Sequence, residues 1–395
     1  MAFVSNFLND HQLPFSLEML KLLGAENYTF ISTTPFSRER LEMGFKDMNQ
    51  MPFVVRAYEN KKEYRHALQI CYDYDVVIIG SAISGYVRRR LKANKLTFKY
   101  SERPYKIEIN RKNFIKYYLR SLIDYKIYQK KSYFLLCASA YTAYDYSFFK
   151  NFIGKSYKWG YFPAFKVYSI EKLFDLKKHK IPEILWTGRF IDWKHPEKAI
   201  EIAKFLSDIG ICFHMNMIGD GDEIENCRIL VKKYALQDRV QLLGSMPPTR
   251  VREYMEKANI YVFTSDRQEG WGAVLNEAMN SGCAVVASHA IGSVPYLLQD
   301  GINGLIYQDE NMKDLYAKIQ YLIDNPDEQT RFGVNAYRTL ADLWHANIAA
   351  RRLVQLSKGI LEKDNVIFKE GPCSEAEIMR DDWYKGDSLI NWNHL

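Results

Sequence analysis

Two α/β domains, each a parallel sheet with helices packed on its faces, are what this sequence predicts. Short apolar strands alternate with amphipathic helical stretches along most of the chain. The rhythm pauses once, in a Pro/Lys/His-rich stretch near residues 162–182, and then restarts. A chain of 395 residues is also long for one hydrophobic core. The expected boundaries are a first domain over 1–165, a second over 166–365, and a terminal tail over 366–395.

The elements follow in order. Ala2-Phe-Val-Ser is a short strand, and residues 15–23 carry apolar groups at helical spacing before Gly24 stops them. Tyr28-Thr-Phe-Ile-Ser and Phe53-Val-Val are strands, and 60–72 is an amphipathic helix. Asp75-Val-Val-Ile-Ile-Gly80 has an unbroken apolar run, as expected of a strand covered on both faces. Thr97-Phe-Lys-Tyr is another strand, a long basic helix is expected over 111–129, and Phe134-Leu-Leu-Cys-Ala closes the set. In the second half, strands are expected at Glu183-Ile-Leu-Trp-Thr, His214-Met-Asn-Met-Ile-Gly, Val240-Gln-Leu-Leu-Gly, Ile260-Tyr-Val-Phe-Thr, Ala284-Val-Val-Ala and Gly304-Leu-Ile-Tyr. Helices are expected between them at 196–210, 223–236, 249–257 and 273–280, with two more at 312–324 and 327–361. The polar tail, with Trp383 and Trp392, is expected to cross back over the first domain.

Composition narrows the class. With 47% apolar and 26% charged residues the chain reads as globular. It has no run near the ~20 apolar residues of a membrane span, and its N-terminus lacks the pattern of a signal peptide. The cysteines at 71, 137, 212, 227, 283 and 373 form no Cys-x-x-Cys pair, so reduced thiols in a cytoplasmic protein are expected rather than disulfides or a metal site. Net charge is +7, but residues 86–131 hold fifteen Lys and Arg against three acids, a local +12, with nine Tyr and Phe interleaved. Such a segment suits an anionic membrane surface or a lipid-phosphate substrate. The plain alternative is a solvated helix whose side-chain stems cover apolar neighbours. Nucleic acid is not the expected partner.

The densest chemistry lies at Glu269-Gly-Trp-Gly-Ala-Val-Leu-Asn-Glu277, between two apolar strands. The glycines let backbone N–H groups approach a ligand, and the helix that follows points its positive end at any phosphate there. Glu277 is placed to grip a ribose diol with both oxygens. Earlier, Arg189 and Lys194 share one strand-end loop, and two cations there suit a diphosphate. Together these groups predict a nucleotide-sugar site, with Met246 near the base. Gly219-Asp-Gly-Asp222 has the look of a metal-binding acid pair, but its glycines favour a tight strand-to-helix turn, so no metal is assigned.

From Ile184 to about Tyr307 the chain resembles the donor domain of the retaining glycosyltransferase family 4. The resemblance is carried by Thr187-Gly-Arg189 with Lys194, Gly219-Asp-Gly221, Leu242-Leu-Gly244, Glu269-Gly-Trp-Gly with Glu277-Ala-Met, Ser281-Gly-Cys-Ala-Val-Val-Ala-Ser288 and Asp300-Gly-Ile-Asn-Gly304. It implies the GT-B fold, two Rossmann-like parallel-sheet domains facing across a cleft. It also implies sugar transfer with retention from a nucleoside-diphosphate sugar, with no cofactor or metal. Arg189 and Lys194 would then neutralise the leaving diphosphate. Glu269 and the amides of Gly270, Trp271, Gly272, Ala273 and Val274 would position the sugar, Glu277 would hold the ribose, and backbone near Met246 would meet the base. In the first domain, His11 and Glu102 are the candidates for the acceptor side, with Arg103 as the candidate ligand of an acceptor phosphate. A capping role for His11 and a Glu102–Arg103 turn are the structural alternatives. Asn9-Asp-His-Gln and Tyr100-Ser-Glu-Arg-Pro resemble the bacterial polysaccharide-assembly members, which implies a glycan or lipid-linked acceptor and a cytoplasmic position, with room for a peripheral site on the inner face of the plasma membrane. Two other functions are the alternatives. A glycoside hydrolase using Glu269 and Glu277 fits poorly, because its carboxylates should flank the scissile bond. A non-catalytic nucleotide-sugar binder is disfavoured by the intact set of charged groups.

Overall fold

The computed structural model describes residues 1–38, 41, 46–106 and 109–386. They fall into two compact units. The first joins Met1–Ala164 to Trp344–Arg380, and the second joins Phe165–Leu343 to the segment that begins at Asp381.

The first unit is built on β1 (Ala2–Ser5), α1 (Leu13–Leu23), β2 (Thr29–Ser32), β3 (Val54–Arg56), α2 (Lys61–Asp73), β4 (Val77–Ile79), α3 (Gly85–Lys92), β5 (Thr97–Ser101), α4 (Phe114–Asp124), β6 (Tyr133–Cys137), α5 (Thr142–Ser147) and β7 (Ser156–Lys158). Its seven strands are all parallel in the order β3-β2-β1-β4-β5-β6-β7. The order reverses at β1/β4, where Phe3 pairs with Ile78, so that pair of strand ends is the crevice such sheets offer to ligands.

The second unit contains α6 (Ile170–Asp175), β8 (Glu183–Thr187), α7 (Pro196–Asp208), β9 (His214–Ile218), α8 (Ile224–Lys233), β10 (Val240–Leu242), α9 (Pro248–Lys257), β11 (Ile260–Phe263), α10 (Ala273–Asn280), β12 (Ala284–Ser288), α11 (Val294–Leu297), β13 (Leu305–Tyr307), α12 (Met312–Asp324) and α13 (Pro326–Asp342). Its six strands are also parallel, in the order β10-β9-β8-β11-β12-β13, and reverse at β8/β11. β11 and β12 are buried along their whole length, as their unbroken apolar runs require.

Several expectations are corrected. The basic helix over 111–129 is shorter: α4 stops at Asp124, and only a 3-10 turn, Lys126–Tyr128, follows. Tyr125 leaves helical geometry there to pack its ring on Tyr146 and Phe152, 5.1 and 5.6 Å between centroids. The single helix expected over 327–361 is two. α13 ends at Asp342, and α14 (Ala346–Glu362) begins after the buried Trp344. α14 packs against α1 and so groups with the first unit, although the sequence placed it in the second. The short elements α3, α5, β7, α6 and α11 were not read from the sequence, because each is too brief to show a period.

The tail returns to the first sheet. Residues 373–376 run antiparallel to β7, with Cys373 donating to the Lys158 carbonyl (2.8 Å), Lys158 to Ser374 (2.7 Å) and Ala376 to Ser156 (2.9 Å). This covers an edge that would otherwise present open backbone groups. From Asp381 the tail belongs to the second unit, where the Tyr384 hydroxyl bonds the Asp300 carboxylate (2.8 Å) and accepts from Lys318 (2.8 Å). Trp383 therefore groups with the second unit, and Trp392 lies outside the described residues. Among the described residues no helix is long and apolar enough to cross a membrane.

Arg90 shows how the first unit closes. Its buried guanidinium donates to the carbonyls of Cys71, Tyr74, Asp75 and Leu96 and to the Thr97 hydroxyl, joining the end of α2 to the starts of β4 and β5. Arg90→Met keeps the bulk and removes every donor. Urea denaturation should show a loss of at least about 3 kcal/mol, since several buried acceptors lose their partner; a loss below about 1 kcal/mol would mean water replaces the guanidinium.

Candidate functional site

In the second unit the carboxyl ends of β8, β9 and β10 are sewn together by backbone alone. Gly188 donates to the Ile218 carbonyl (3.0 Å), Phe190 to Asp220 (2.9 Å) and Gly219 to Gly244 (2.9 Å). A Cβ on Gly219 would sit 1.8 Å from the Gly188 oxygen, and one on Gly221 would sit 2.4 Å from that of Phe190. The Gly-Asp-Gly sequence is thus needed for close approach of two loops, and the Asp220 carboxylate accepts from the Gly221 amide (2.8 Å).

The loop after β8 then meets the loop after β11. The Thr264 hydroxyl donates to the Lys194 carbonyl (2.7 Å) and accepts from the buried Trp186 indole (2.9 Å). The Asp266 amide donates to the Trp193 carbonyl (3.1 Å). Side chains complete the seam. Lys194 forms an ion pair with Glu269, and the Ser265 hydroxyl donates to the same carboxylate oxygen (3.2 Å). Both partners are largely enclosed, with side chains 12% and 11% exposed. The Lys194 ammonium also lies 4.9 Å from the Trp193 ring centre.

His195 adds a second side-chain tie between the two loops. Its ring contacts Glu197 through Nδ1 (2.8 Å) and Asp266 through Nε2 (3.6 Å). Its backbone is left-handed, φ 51° and ψ 55°, a conformation that costs a non-glycine residue energy and persists when its surroundings enforce it. The bonds to Asp266 and then Glu197 raise the imidazole pKa from 6.5 to about 9, against the opposing effect of burial. Burial pushes the Asp266 carboxyl up, but the bonds from His195 and the Gln268 amide outweigh it and hold its pKa low.

α10 opens at Gly272, whose φ is 81° and where a Cβ would lie 2.5 Å from the Phe263 ring. The Trp271 side chain is fully buried and its indole donates to Asn276 (2.8 Å), so Trp271 can offer a ligand only its backbone. Ala273 and Val274 form the first turn. Glu277 is half-buried, with the Arg252 guanidinium 4.0 Å from its carboxylate. Arg252 also donates to Asn280 (2.9 Å) and to the Glu277 carbonyl (3.2 Å). Arg189 is exposed, with its guanidinium 5.9 Å from the Trp193 ring centre. Met246 is half-buried on the loop between β10 and α9.

The structure therefore brings Lys194, Glu269 and the α10 start together at the carboxyl end of the second sheet, with Arg189 on the same loop as Lys194, Glu277 within α10 and Met246 on the loop after β10. It alters one expectation: Lys194 and Glu269, assigned to phosphate and sugar separately, are partners. Sequence reading missed Ser265 and Asp266 as ligating groups, and missed His195, Thr264 and Arg252 entirely. The only signal for the first four was their place within a few residues of the two motifs.

In the first unit His11 and Glu102 are linked through Tyr161, which the sequence did not single out. The Tyr161 hydroxyl donates to Glu102 (2.5 Å), and its ring stacks on the His11 imidazole at 5.5 Å and 13°. His11 Nδ1 lies 3.4 Å from the Asp10 carboxylate, and Lys106 bonds the second Glu102 oxygen (3.0 Å). Asn9 closes the turn that leads into α1, its side chain accepting from the amides of His11 and Gln12 (both 3.0 Å), and α1 itself has no side-chain cap. Arg103 does not pair with Glu102. It is buried and grips Asp145 with two bonds, 3.1 and 3.3 Å.

Comparison with known proteins adds three findings. Residues 170–339 match the family model described as glycosyl transferases group 1. An uncharacterized glycosyltransferase of Methanocaldococcus jannaschii is 32% identical over 152 residues, 38% of this chain and 41% of the relative. The amylovoran biosynthesis glycosyltransferase AmsK of Erwinia amylovora is 26% identical over 183 residues, 45% of each chain. The chain thus spans less than half the length of these two relatives. Among solved structures, Anabaena HepE in complex with UDP superposes with a TM-score of 0.65 at 14% identity, covering 92% of this chain and 98% of that one. At that identity the likeness is one of fold, and the fold is GT-B.

The His195 contacts generate a pH prediction. Because its folded pKa is raised, the stability it contributes is complete below about pH 6.5 and is lost as pH climbs through about 9. His195→Asn keeps a residue that tolerates the left-handed backbone and removes the charge. Denaturation measured from pH 6 to 10 should show the wild type losing on the order of 2–3 kcal/mol more than the variant across that window. Parallel curves would mean the imidazole is not protonated in the fold.

Proposed function

We propose that this chain, whose residues 170–339 form a group 1 glycosyl transferase domain, moves a sugar from a nucleoside-diphosphate donor to a glycan or lipid-linked acceptor, with retention of configuration and without a metal ion. The setting proposed is cell-surface polysaccharide assembly in the cytoplasm, at the inner face of the plasma membrane. The assignment of such a pathway draws on AmsK, an amylovoran biosynthesis enzyme, and a nucleotide donor is in keeping with the UDP held by HepE.

The observation that carries this reading is the enclosed Lys194–Glu269 pair beside the start of α10. Breaking a sugar–phosphate bond sends the electron pair to the diphosphate oxygen and leaves positive character at the anomeric carbon. Preorganised positive charge on the leaving group is then the main source of catalysis. An ammonium has three donors, so Lys194 bonded to Glu269 keeps others for phosphate oxygens. Arg189 is free to swing onto the diphosphate, and the α10 amides add their dipole. Glu269, steered by Lys194 and Ser265, retains a carboxylate oxygen for a sugar hydroxyl. Glu277 holds the ribose, and the backbone at Met246 meets the base. On the acceptor side, Glu102 held by Tyr161 orients or deprotonates the attacking hydroxyl, with His11 beside it. The hydrolase alternative has no support, since Glu269 is bound to the Lys194 cation rather than left as a lone acid or nucleophile.

Incubation with uridine, guanosine and adenosine diphosphate sugars, with and without acceptor, tests the reading; release of nucleoside diphosphate with none of them would sink it. Glu277→Ala should weaken donor binding by about 2–5 kcal/mol, the range for unpairing a buried charge-assisted contact; an unchanged dissociation constant by calorimetry removes the ribose role. Tyr161→Phe should lower the transfer rate roughly tenfold through lost orientation of Glu102 while donor affinity stays constant. Equal loss of donor affinity would place Tyr161 elsewhere in the chemistry.

A further inference from the structure

The basic segment 86–131 changes character once folded. Arg90 is buried among five acceptors, and Arg103 is buried against Asp145. Lys99 donates to the Gly80 carbonyl (2.8 Å) and Lys95 to that of Tyr72 (2.7 Å). Four of the fifteen cations are therefore occupied within the fold, and charge alone does not describe what the segment shows to its surroundings. Its outer face is apolar. Ile115, Leu119 and Ile123 lie one turn apart along α4 and are 66%, 50% and 52% exposed, and Ile127 continues the line at 61%. Phe114 and Tyr118, also exposed, stack beside this ridge with ring centres 6.1 Å apart. An exposed contiguous ridge of this kind marks an interaction surface. Exposed cations border it: Lys116 and Arg120 along the helix, and Lys126 and Lys130 after it.

We propose that α4 and the turn after it lie in the plane of an anionic bilayer, the Ile115–Leu119–Ile123–Ile127 ridge sunk to the headgroup–acyl boundary and Lys116, Lys126 and Lys130 at the phosphates. A helix with one apolar face and a cationic rim has this preference. At about 1.5 Å per residue the 11-residue helix is some 16 Å long, enough to lie in the interface and too short to span it. A second copy of this chain fits the face less well. A two-fold contact over this ridge would bring the lysine rim of one copy to that of the other, and Asp124, the acid on α4, is already flanked by Arg88 (3.5 Å) and Arg120 (3.8 Å). The inference deepens the membrane setting proposed above: attachment is by insertion of specific aliphatic side chains, with charge as the secondary contribution.

Sedimentation of the full chain with phosphatidylcholine vesicles, with or without phosphatidylglycerol, tests this at 0.1 and 1 M salt. The wild type should bind the anionic vesicles and keep a measurable part of that binding at high salt. Leu119→Glu/Ile123→Glu should lower the partition coefficient at least tenfold, with circular dichroism and nucleotide-sugar binding unchanged. Lys116→Gln/Lys126→Gln/Lys130→Gln should lower it several-fold and abolish the preference for anionic lipid. The proposal is overturned if the glutamate variant binds like wild type, if binding vanishes fully at 1 M salt, or if the wild type ignores vesicles and forms a dimer that the glutamate variant dissociates. Vesicle binding as expected, in a protein that binds no nucleotide sugar, would leave this surface standing and remove the donor reading instead.

Discussion

The ion pair between Lys194 and Glu269 is the contact on which the candidate site depends. It joins two loops that come from neighbouring strands in space but lie 75 residues apart in sequence. An enclosed cation and anion are each costly alone, and losing one partner strands the other. The seam around them is accordingly redundant. Backbone bonds run from Asp266 to Trp193, the Thr264 hydroxyl reaches the Lys194 carbonyl, and His195 contacts the Asp266 carboxylate. Each holds the loops in the register that lets ammonium meet carboxylate. The left-handed backbone at His195 is what aims its ring back toward Asp266 while its chain turns into α7.

Glycine makes that closeness possible. Gly219 lets the β9 loop touch the backbone of the β8 loop, and Gly272 lets α10 begin over the Phe263 ring. Side chains at either place would separate the loops that carry the charges. The same economy explains Trp271. Its indole is a buried brace bonded to Asn276, so the glycine-rich segment presents backbone rather than aromatic surface.

The first unit uses its polar groups differently. Arg90 and Arg103 are internal fasteners, and the terminal segment is an edge strand for β7. The titratable groups left at the strand ends are few, and His11, Tyr161 and Glu102 are gathered there by stacking and one short hydrogen bond. Meanwhile α4 leaves its aliphatic side uncovered. Burying Arg90 and Arg103 while Ile115, Ile123 and Ile127 stay exposed inverts the usual assignment of the two residue types at these positions, and that inversion marks α4 as a surface with a use.

Sequence alone determined the two parallel α/β sheets, because strands buried on both faces must be apolar throughout and the helices between them must alternate faces. It also determined the positions of Arg189, Lys194, Glu269 and Glu277, since glycines and charges at strand ends are local signals. Tertiary structure decided who partners whom. That Lys194 serves Glu269, that Arg103 grips Asp145 rather than Glu102, that Tyr161 joins His11 to Glu102, and that α14 packs on α1 all depend on residues distant in the chain. Periodicity records which way a side chain points from its own element. It carries no record of which other element stands opposite, and an ion pair or a stacked ring is a property of both.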